Sequence, residues 1–268
     1  MECFIVDSFT DQAFKGNPAG VCLLNQDLPE SRMQEIATEL NFSETAFVKN
    51  ISAQVYSIRY FSPKMEIPLC GHATLASAKV LFHLLDDDHI QFITIRKIKL
   101  EVDKKDQWIQ MQFPVYDLEE YKPLSKEMLE AIGISEYNYI GYNKETDIIF
   151  LELEDCDKLQ NLNPRFSDLA ALPFKHMGIS ISAKSNNSEY DFYSRFFWPW
   201  SGSDEDPVTG GTHTFLTPYW SKKLGKNKMN SYQCSPRSGF MEVELIDDTN
   251  FYIRGKAVIL FKGEFLIN

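Results

Sequence analysis

No stretch of this sequence is apolar for long enough to cross a bilayer. The longest uncharged apolar runs, such as AVILF at 257–261, are about half a dozen residues, whereas a helical span needs roughly twenty. Basic charge is also scarce. The chain carries 27 Lys and Arg against 38 Asp and Glu, a formal net charge of -11. Nucleic acid and anionic membrane surfaces are bound through a concentrated basic face, so neither partner is expected. Cysteine is limited to five residues, at positions 3, 22, 70, 156 and 234, with no CxxC pair. An odd count without that spacing argues against a disulfide framework and against a zinc ribbon, and the thiols are expected to be reduced. The N-terminus, MECFIVDSFTDQAF, has acids at positions 2 and 7 and no basic-then-apolar leader, which points to a cytoplasmic protein. There is no phosphate loop, GxGxxG fingerprint or GxSxG elbow, and the histidines occur singly without ligands at a repeated spacing. No metal and no cofactor are therefore expected, and a hydrolase is disfavoured.

What is present is core material. Of 268 residues, 44% are hydrophobic and 13% aromatic, enough to offset the entropy of ordering one large domain or two lobes. Strand-like runs dominate: CFIVDSF at 3–9, VCLL at 21–24, ETAFV at 44–48, VYSIRYF at 55–61, ITIRKIKLEV at 93–102 and WIQMQF at 108–113. Further strands are expected near 138–142, 148–153, 191–197, 240–246 and 251–261, and the loop KGNPAG at 15–20 separates the first two. Helical spacing of Met33, Ile36, Ala37 and Leu40 predicts a helix over 29–40, and SKEMLEAIGI predicts another over 125–134. The alternation stops in the proline-bounded, acidic PVYDLEEYKP at 114–123. The lobe boundary is placed there: lobe one at 1–115, lobe two at 116–262, and a tail at 263–268 that returns to the first lobe.

An internal repeat supports two lobes of like build. Residues 59–63 read RYFSP and 195–199 read RFFWP, and Pro-x-x-Gly follows at 68–71 and at 207–210. The offset grows only from 136 to 139, one insertion of three residues, and each copy leads into a helix-length segment, at 72–85 and 211–225. A helix start offers N–H groups without intrahelical acceptors and the positive end of the helix dipole, an anion site. Gly71, Gly210 and Gly211 would let a ligand approach the main chain and would tolerate φ > 0 in such turns. Beside the turns stand Cys70, His72, Glu205, Asp206 and His213, and Glu44 sits where a loop enters a strand. A carboxyl group closed into a poorly hydrated cleft suits proton transfer near neutral pH, which makes Glu44 the candidate acid/base. Arg59 and Arg195 could make a cleft locally positive; the structural role, bonding strand ends, is the favoured one.

The strings DSFTDQAFKGNPAGV at 7–21, NFSETAFV at 41–48, RYFSP at 59–63, PLCGHATLAS at 68–77, EDPVTGGTH at 205–213 and YQCSPRSGF at 232–240 together resemble the PhzF-like family, named for a phenazine-biosynthesis isomerase. The resemblance covers nearly the whole chain in order. It implies an α+β fold like that of diaminopimelate epimerase: two pseudo-symmetric lobes, each a curved antiparallel sheet or barrel around a central helix, with the site between them. It also implies a cofactor-independent isomerase that moves a proton between carbons of a small carboxylate substrate, and a homodimer. By position, Glu44 takes the acid/base role, His72 and Asp206 assist it, Gly71, His72, Gly210 and Gly211 hold the substrate carboxylate through main-chain N–H groups, and Asn17 lines the cleft. Two departures stand out. TGGT replaces the usual TGSA, putting Gly211 where a serine is expected, and the related epimerases' two-cysteine pair is met by Cys70 but by Thr209 at the second place. Two alternatives stay open, an amino-acid racemase or epimerase using Cys70, and a small-ligand-binding protein without turnover.

Overall fold

The computed structural model describes residues 1–201 and 203–266. The chain forms two compact units. The first takes Met1–Gln112 and the chain again from Tyr252, and the second takes Phe113–Phe251. In the first run β1 (Glu2–Ser8), β2 (Asn17–Leu24), α1 (Glu30–Leu40), β3 (Glu44–Ser52), β4 (Val55–Phe61), β5 (Glu66–Ile67), α2 (Gly71–Leu84), β6 (His89–Thr94), β7 (Lys99–Lys105) and β8 (Trp108–Pro114). The second holds β9 (Glu119–Glu120), α3 (Lys126–Ile132), β10 (Tyr139–Asn143), β11 (Ile148–Leu153), α4 (Cys156–Gln160), α5 (Phe166–Ala171), β12 (Gly178–Lys184), β13 (Phe192–Phe197), α6 (His213–Leu224), β14 (Lys228–Gln233) and β15 (Gly239–Leu245). Then β16 (Asn250–Gly255) carries the chain back, and β17 (Ala257–Glu264) completes the first unit. No helix among the described residues is long and apolar enough to cross a membrane.

The two units repeat one topology. In the first, β1 and β2 are antiparallel, β2 and β3 parallel, β3 and β4 antiparallel, β4 and β6 parallel, and β6 and β7 antiparallel. In the second, the pairs β10 with β11, β11 with β12, β12 with β13, β13 with β14 and β14 with β15 follow the same order of orientations. Each sheet is thus mixed rather than wholly antiparallel. The parallel pairs are the ones joined through helices, because a parallel neighbour needs a crossover that a tight turn cannot supply. α2 and α6 are the matching crossovers.

α2 is buried on nearly every side, as expected of a helix that is apolar or small all round. Its Ala73, Ala76 and Ala78 are fully buried, and the helix packs on β1, β2, β3 and β17. α6 is held by Trp220, which stacks on Phe192 at 5.5 Å and donates from Nε1 to Ser182 Oγ at 2.9 Å. Pro218 lies inside this helix and has no N–H for the carbonyl one turn earlier. That carbonyl, of Thr214, accepts instead from Tyr116 N–H at 2.9 Å, which ties the chain after β8 to the helix.

Three expectations change on contact with the structure. The run 93–102 is two strands, β6 and β7, because Lys97 adopts φ 63° and Thr94 N–H bonds Ile98 O at 3.0 Å, closing a hairpin. The run 251–261 is likewise broken, between Gly255 and Ala257. The units divide at 112/113 and 251/252 where 115/116 and 262/263 are expected. β17 pairs along the whole of β1, from Glu2 with Glu264 to Ser8 with Ala257, so the return begins well before position 263.

Candidate active site

The repeated Arg-x-Phe motifs build the same brace twice. Arg59 holds Glu66 through two parallel bonds, Nε to Oε1 at 2.7 Å and Nη2 to Oε2 at 2.7 Å, and its guanidinium lies 5.2 Å from the Phe61 ring centroid. Arg195 holds Glu205 at 2.8 and 2.7 Å and lies 4.9 Å from the Phe197 ring. Phe61 pairs across from Glu66, and Phe197 from Glu205. Such a fork of two charge-assisted bonds fixes direction as well as distance. Both arginines therefore take the structural role favoured from sequence. Glu66 and Glu205 share the offset of 139 seen in the two Pro-x-x-Gly turns, so the three-residue insertion lies inside the second braced loop. Each brace anchors the chain just ahead of its glycine turn.

In the first unit, local signals converge on Glu44. Asn41 ends α1 in the left-handed conformation, φ 53°, with its N–H on Ala37 O at 3.0 Å. Three residues later Glu44 opens β3, level with Ala19 on β2. Asn17 opens β2, and His72 stands in the first turn of α2. The structure brings these together: His72 Nε2 lies 3.2 Å from Glu44 Oε2, and Asn17 Nδ2 lies 3.3 Å from His72 Nδ1. Ser43 Oγ donates to Asn17 Oδ1 at 3.4 Å, and Ser8 Oγ donates to the His72 carbonyl at 2.8 Å. Glu44 and His72 are only 8% and 7% exposed. Burial pushes the His72 imidazole below its ordinary pKa, with the Glu44 carboxylate opposing the shift. A neutral ring that accepts from Asn17 at Nδ1 carries its proton on Nε2 and aims it at Glu44. Cys70, the residue before α2, is buried, and its Sγ lies 3.4 Å from His72 Nδ1.

In the second unit Asp206 is buried beside its own glycine turn. Its Oδ2 accepts from Thr209 Oγ1 at 2.5 Å, and its N–H bonds Phe196 O at 3.1 Å. Gln233 bridges the turn, donating from Nε2 to Asp206 O at 2.8 Å while its Oε1 accepts from Thr209 N–H at 2.9 Å. His213 is fully buried between Thr209 O, 3.1 Å from Nδ1, and Ser231 Oγ, 2.9 Å from Nε2. Burial pushes its pKa down to about 4, against the opposing pull of the Thr209 carbonyl.

The glycine turns differ in detail from expectation. Gly71 begins α2, so it and His72 present first-turn N–H groups that have no intrahelical acceptor. Gly210 and Gly211 instead precede α6. They form a tighter turn, with His213 N–H on Gly210 O at 3.1 Å and Thr214 N–H on Gly211 O at 3.3 Å, because two adjacent glycines resist regular helix. None of the three uses φ > 0; Gly16, just ahead of Asn17, does, at φ 67°. A Cβ on Gly211 would meet nothing within 4 Å, so its lack of a side chain leaves open space and relieves no clash.

Sequence reasoning left Gln233 and Ser43 without these positioning roles. Gln233 lies in YQCSPRSGF, a string noticed but given no site residue, and Ser43 lies in NFSETAFV. Folding also gathers Glu44, Cys70 and His72 so that one ligand atom from each lies within 4.8 Å of the others, a cluster that spacing along the chain did not reveal.

An uncharacterized isomerase of Halalkalibacterium halodurans is 41% identical over 267 residues, covering 98% of either chain. The crystal structure of a phenazine biosynthesis protein of the PhzF family from Enterococcus faecalis covers 99% of each chain at 38% identity, with a TM-score of 0.90. A probable proline racemase from Agrobacterium radiobacter K84, 8% identical, covers 100% of this chain and 93% of its own with a TM-score of 0.62, a likeness of fold alone. The family described as PhzC-PhzF, phenazine biosynthesis-like protein, matches residues 6–263, and with relatives this similar from end to end, the chain belongs to that family.

Proposed function

We propose that this protein is an isomerase that moves a proton between carbon atoms of a small carboxylate-bearing substrate, with Glu44 as the acid/base and no cofactor. The observation that carries the proposal is the buried Glu44 carboxylate 3.2 Å from His72 Nε2, in a family whose relatives include a named isomerase. The Asn17 to His72 to Glu44 chain points a donor at one carboxylate oxygen and leaves the other to take a proton from substrate carbon. The first-turn N–H groups of Gly71 and His72 offer a carboxylate two donors at the positive end of α2. Negative charge that builds on the substrate as its C–H bond breaks is where such donors count most. In the second unit, Asp206 and the Gly210 and Gly211 turn are proposed as a further substrate-contacting group. The Asp206 carboxylate accepts a hydrogen bond from the Thr209 hydroxyl, which orients it as an acceptor for a substrate hydroxyl or amine.

The test is a panel of small cyclic and amino carboxylates incubated with the protein in heavy water and followed by proton NMR. The proposal expects deuterium to enter one substrate at carbon, together with an isomerised product. Glu44→Gln should lower that rate by about 100-fold or more, while Cys70→Ala should leave most of it. An undiminished rate in Glu44→Gln would refute the assignment. Loss of turnover in Cys70→Ala with retention in Glu44→Gln would favour the thiol-based racemase reading, which the 3.4 Å approach of Cys70 to His72 keeps in view.

A further inference from the structure

Glu44, Cys70 and His72 offer one carboxylate oxygen, one thiol sulfur and one imidazole nitrogen, the mixed donor set that suits Zn2+. We propose that these three side chains form a Zn2+ site with an open fourth position. Zinc bonds of about 2.0–2.1 Å to nitrogen and oxygen and about 2.3 Å to sulfur put tetrahedral ligand atoms roughly 3.3–3.6 Å apart. His72 Nε2 and Glu44 Oε2 stand 3.2 Å apart, and Cys70 Sγ lies 3.9 Å from the same nitrogen. The carboxylate and imidazole are thus close to ligand spacing already, whereas the sulfur, which stands nearer Nδ1 at 3.4 Å, joins them only when Cys70 turns about χ1.

The surroundings support the ring in this role. A metal on Nε2 places the imidazole proton on Nδ1, so the Asn17 amide, 3.3 Å away, has to exchange its bond from Ser43 and turn its oxygen to accept that proton. Ser8 Oγ fixes the His72 carbonyl at 2.8 Å, holding the residue at the head of α2. Each of the three ligands keeps a little open surface, 8% for Glu44, 7% for His72 and 8% for Cys70, which gives an ion a way in. Binding exchanges the S–H bond of Cys70 for an S–Zn bond and releases one proton to solvent, with no change of oxidation state. A carboxylate that ligates zinc cannot take a proton from carbon. Zn2+ is therefore an inhibitor of the isomerase proposed above. The inhibition rests on that reading, whereas the binding does not.

The experiment titrates the metal-stripped, full-length protein with Co2+ as a coloured stand-in and then competes it with Zn2+. No substrate is involved, so its failure and the failure of the isomerase reading are separate results. The site predicts one Co2+ per chain, a sulfur-to-cobalt charge-transfer band, displacement by Zn2+ and release of one proton per metal. The band should vanish in Cys70→Ala and persist in Cys156→Ala, and Glu44→Gln should weaken Co2+ by about 10-fold or more. Circular dichroism checks the fold of each variant. If Cys70→Ala does not fold, the closer-sized Cys70→Ser serves in its place and must likewise lose the band. No charge-transfer band in the wild type, or a band of full strength in the folded Cys70 variant, overturns the proposal.

Discussion

Acidification should destabilise this protein through His213, and the structure sets the size of the effect. The imidazole is fully buried, bonded on both sides by Thr209 O and Ser231 Oγ, and its pKa falls from 6.5 to about 4. The unfolded chain binds the proton near the ordinary value, so between these limits the unfolded state holds more protons than the native one. Stability therefore rises with pH across the window and is lost as pH falls from about 6.5 toward about 4. At about 1.4 kcal/mol per pKa unit the full loss is roughly 3 kcal/mol, of which about 2 kcal/mol is gone by about pH 5. Urea unfolding at several pH values, wild type against His213→Gln, measures it. The glutamine side chain stays neutral, so the variant should be weaker at neutral pH but lose about 2 kcal/mol less on going to about pH 5. His72, also pushed down by burial, acts with the same sign in both proteins and cancels in the difference. Parallel stability curves for the two proteins across this range would refute the reasoning.

Other perturbations separate structural devices that look alike. Arg195→Ala strands a buried glutamate, since the Arg195 and Glu205 side chains are 6% and 8% exposed, and should cost roughly 3–5 kcal/mol in urea unfolding. Arg59→Ala breaks the matching pair at 21% and 20% exposure and should cost about 1 kcal/mol or less; equal losses would show that burial does not set the difference. Gly16→Ala places a Cβ 2.1 Å from Ser8 O at φ 67° and should cost more than about 2 kcal/mol, measured as a lowered melting temperature. Gly211→Ser, with open space around its Cβ, should melt within about 2 °C of the wild type, and a larger fall would mean that the turn itself requires glycine.

Much of the architecture was legible where a residue's own chemistry decides its conformation. Ser125 caps α3, accepting from Met128 N–H at 3.2 Å, and Gly133 ends it at φ 94°, as SKEMLEAIGI suggests. The two RxF motifs and their proline turns were readable as a repeat because both copies obey the same steric and charge requirements. The hairpin at 95–98 was not, since IRKI alternates like a strand and only Lys97 in the left-handed region turns the chain. The site divides in the same way. The acid/base reading of Glu44 was suggested by its place at a strand entry and strengthened by family resemblance. The roles expected of His72 and Asp206 rest on that resemblance, and the hydrogen-bond partners of all three depend on tertiary placement. Gln233 reaches Thr209 from 24 residues away, and no spacing rule along a strand announces that. Cys70 is buried beside His72, and that approach depends on how α2 starts.

The doubled brace has an evolutionary consequence. Because Arg195 grips Glu205 as Arg59 grips Glu66, the hairpin tip enclosed by each pair can grow or shrink while the chain beyond it keeps its heading. The extra residues between Phe197 and Glu205 are one such lengthening already tolerated. A peptide tag spliced in after Ser201 should therefore leave the Arg195 fork on Glu205 in place.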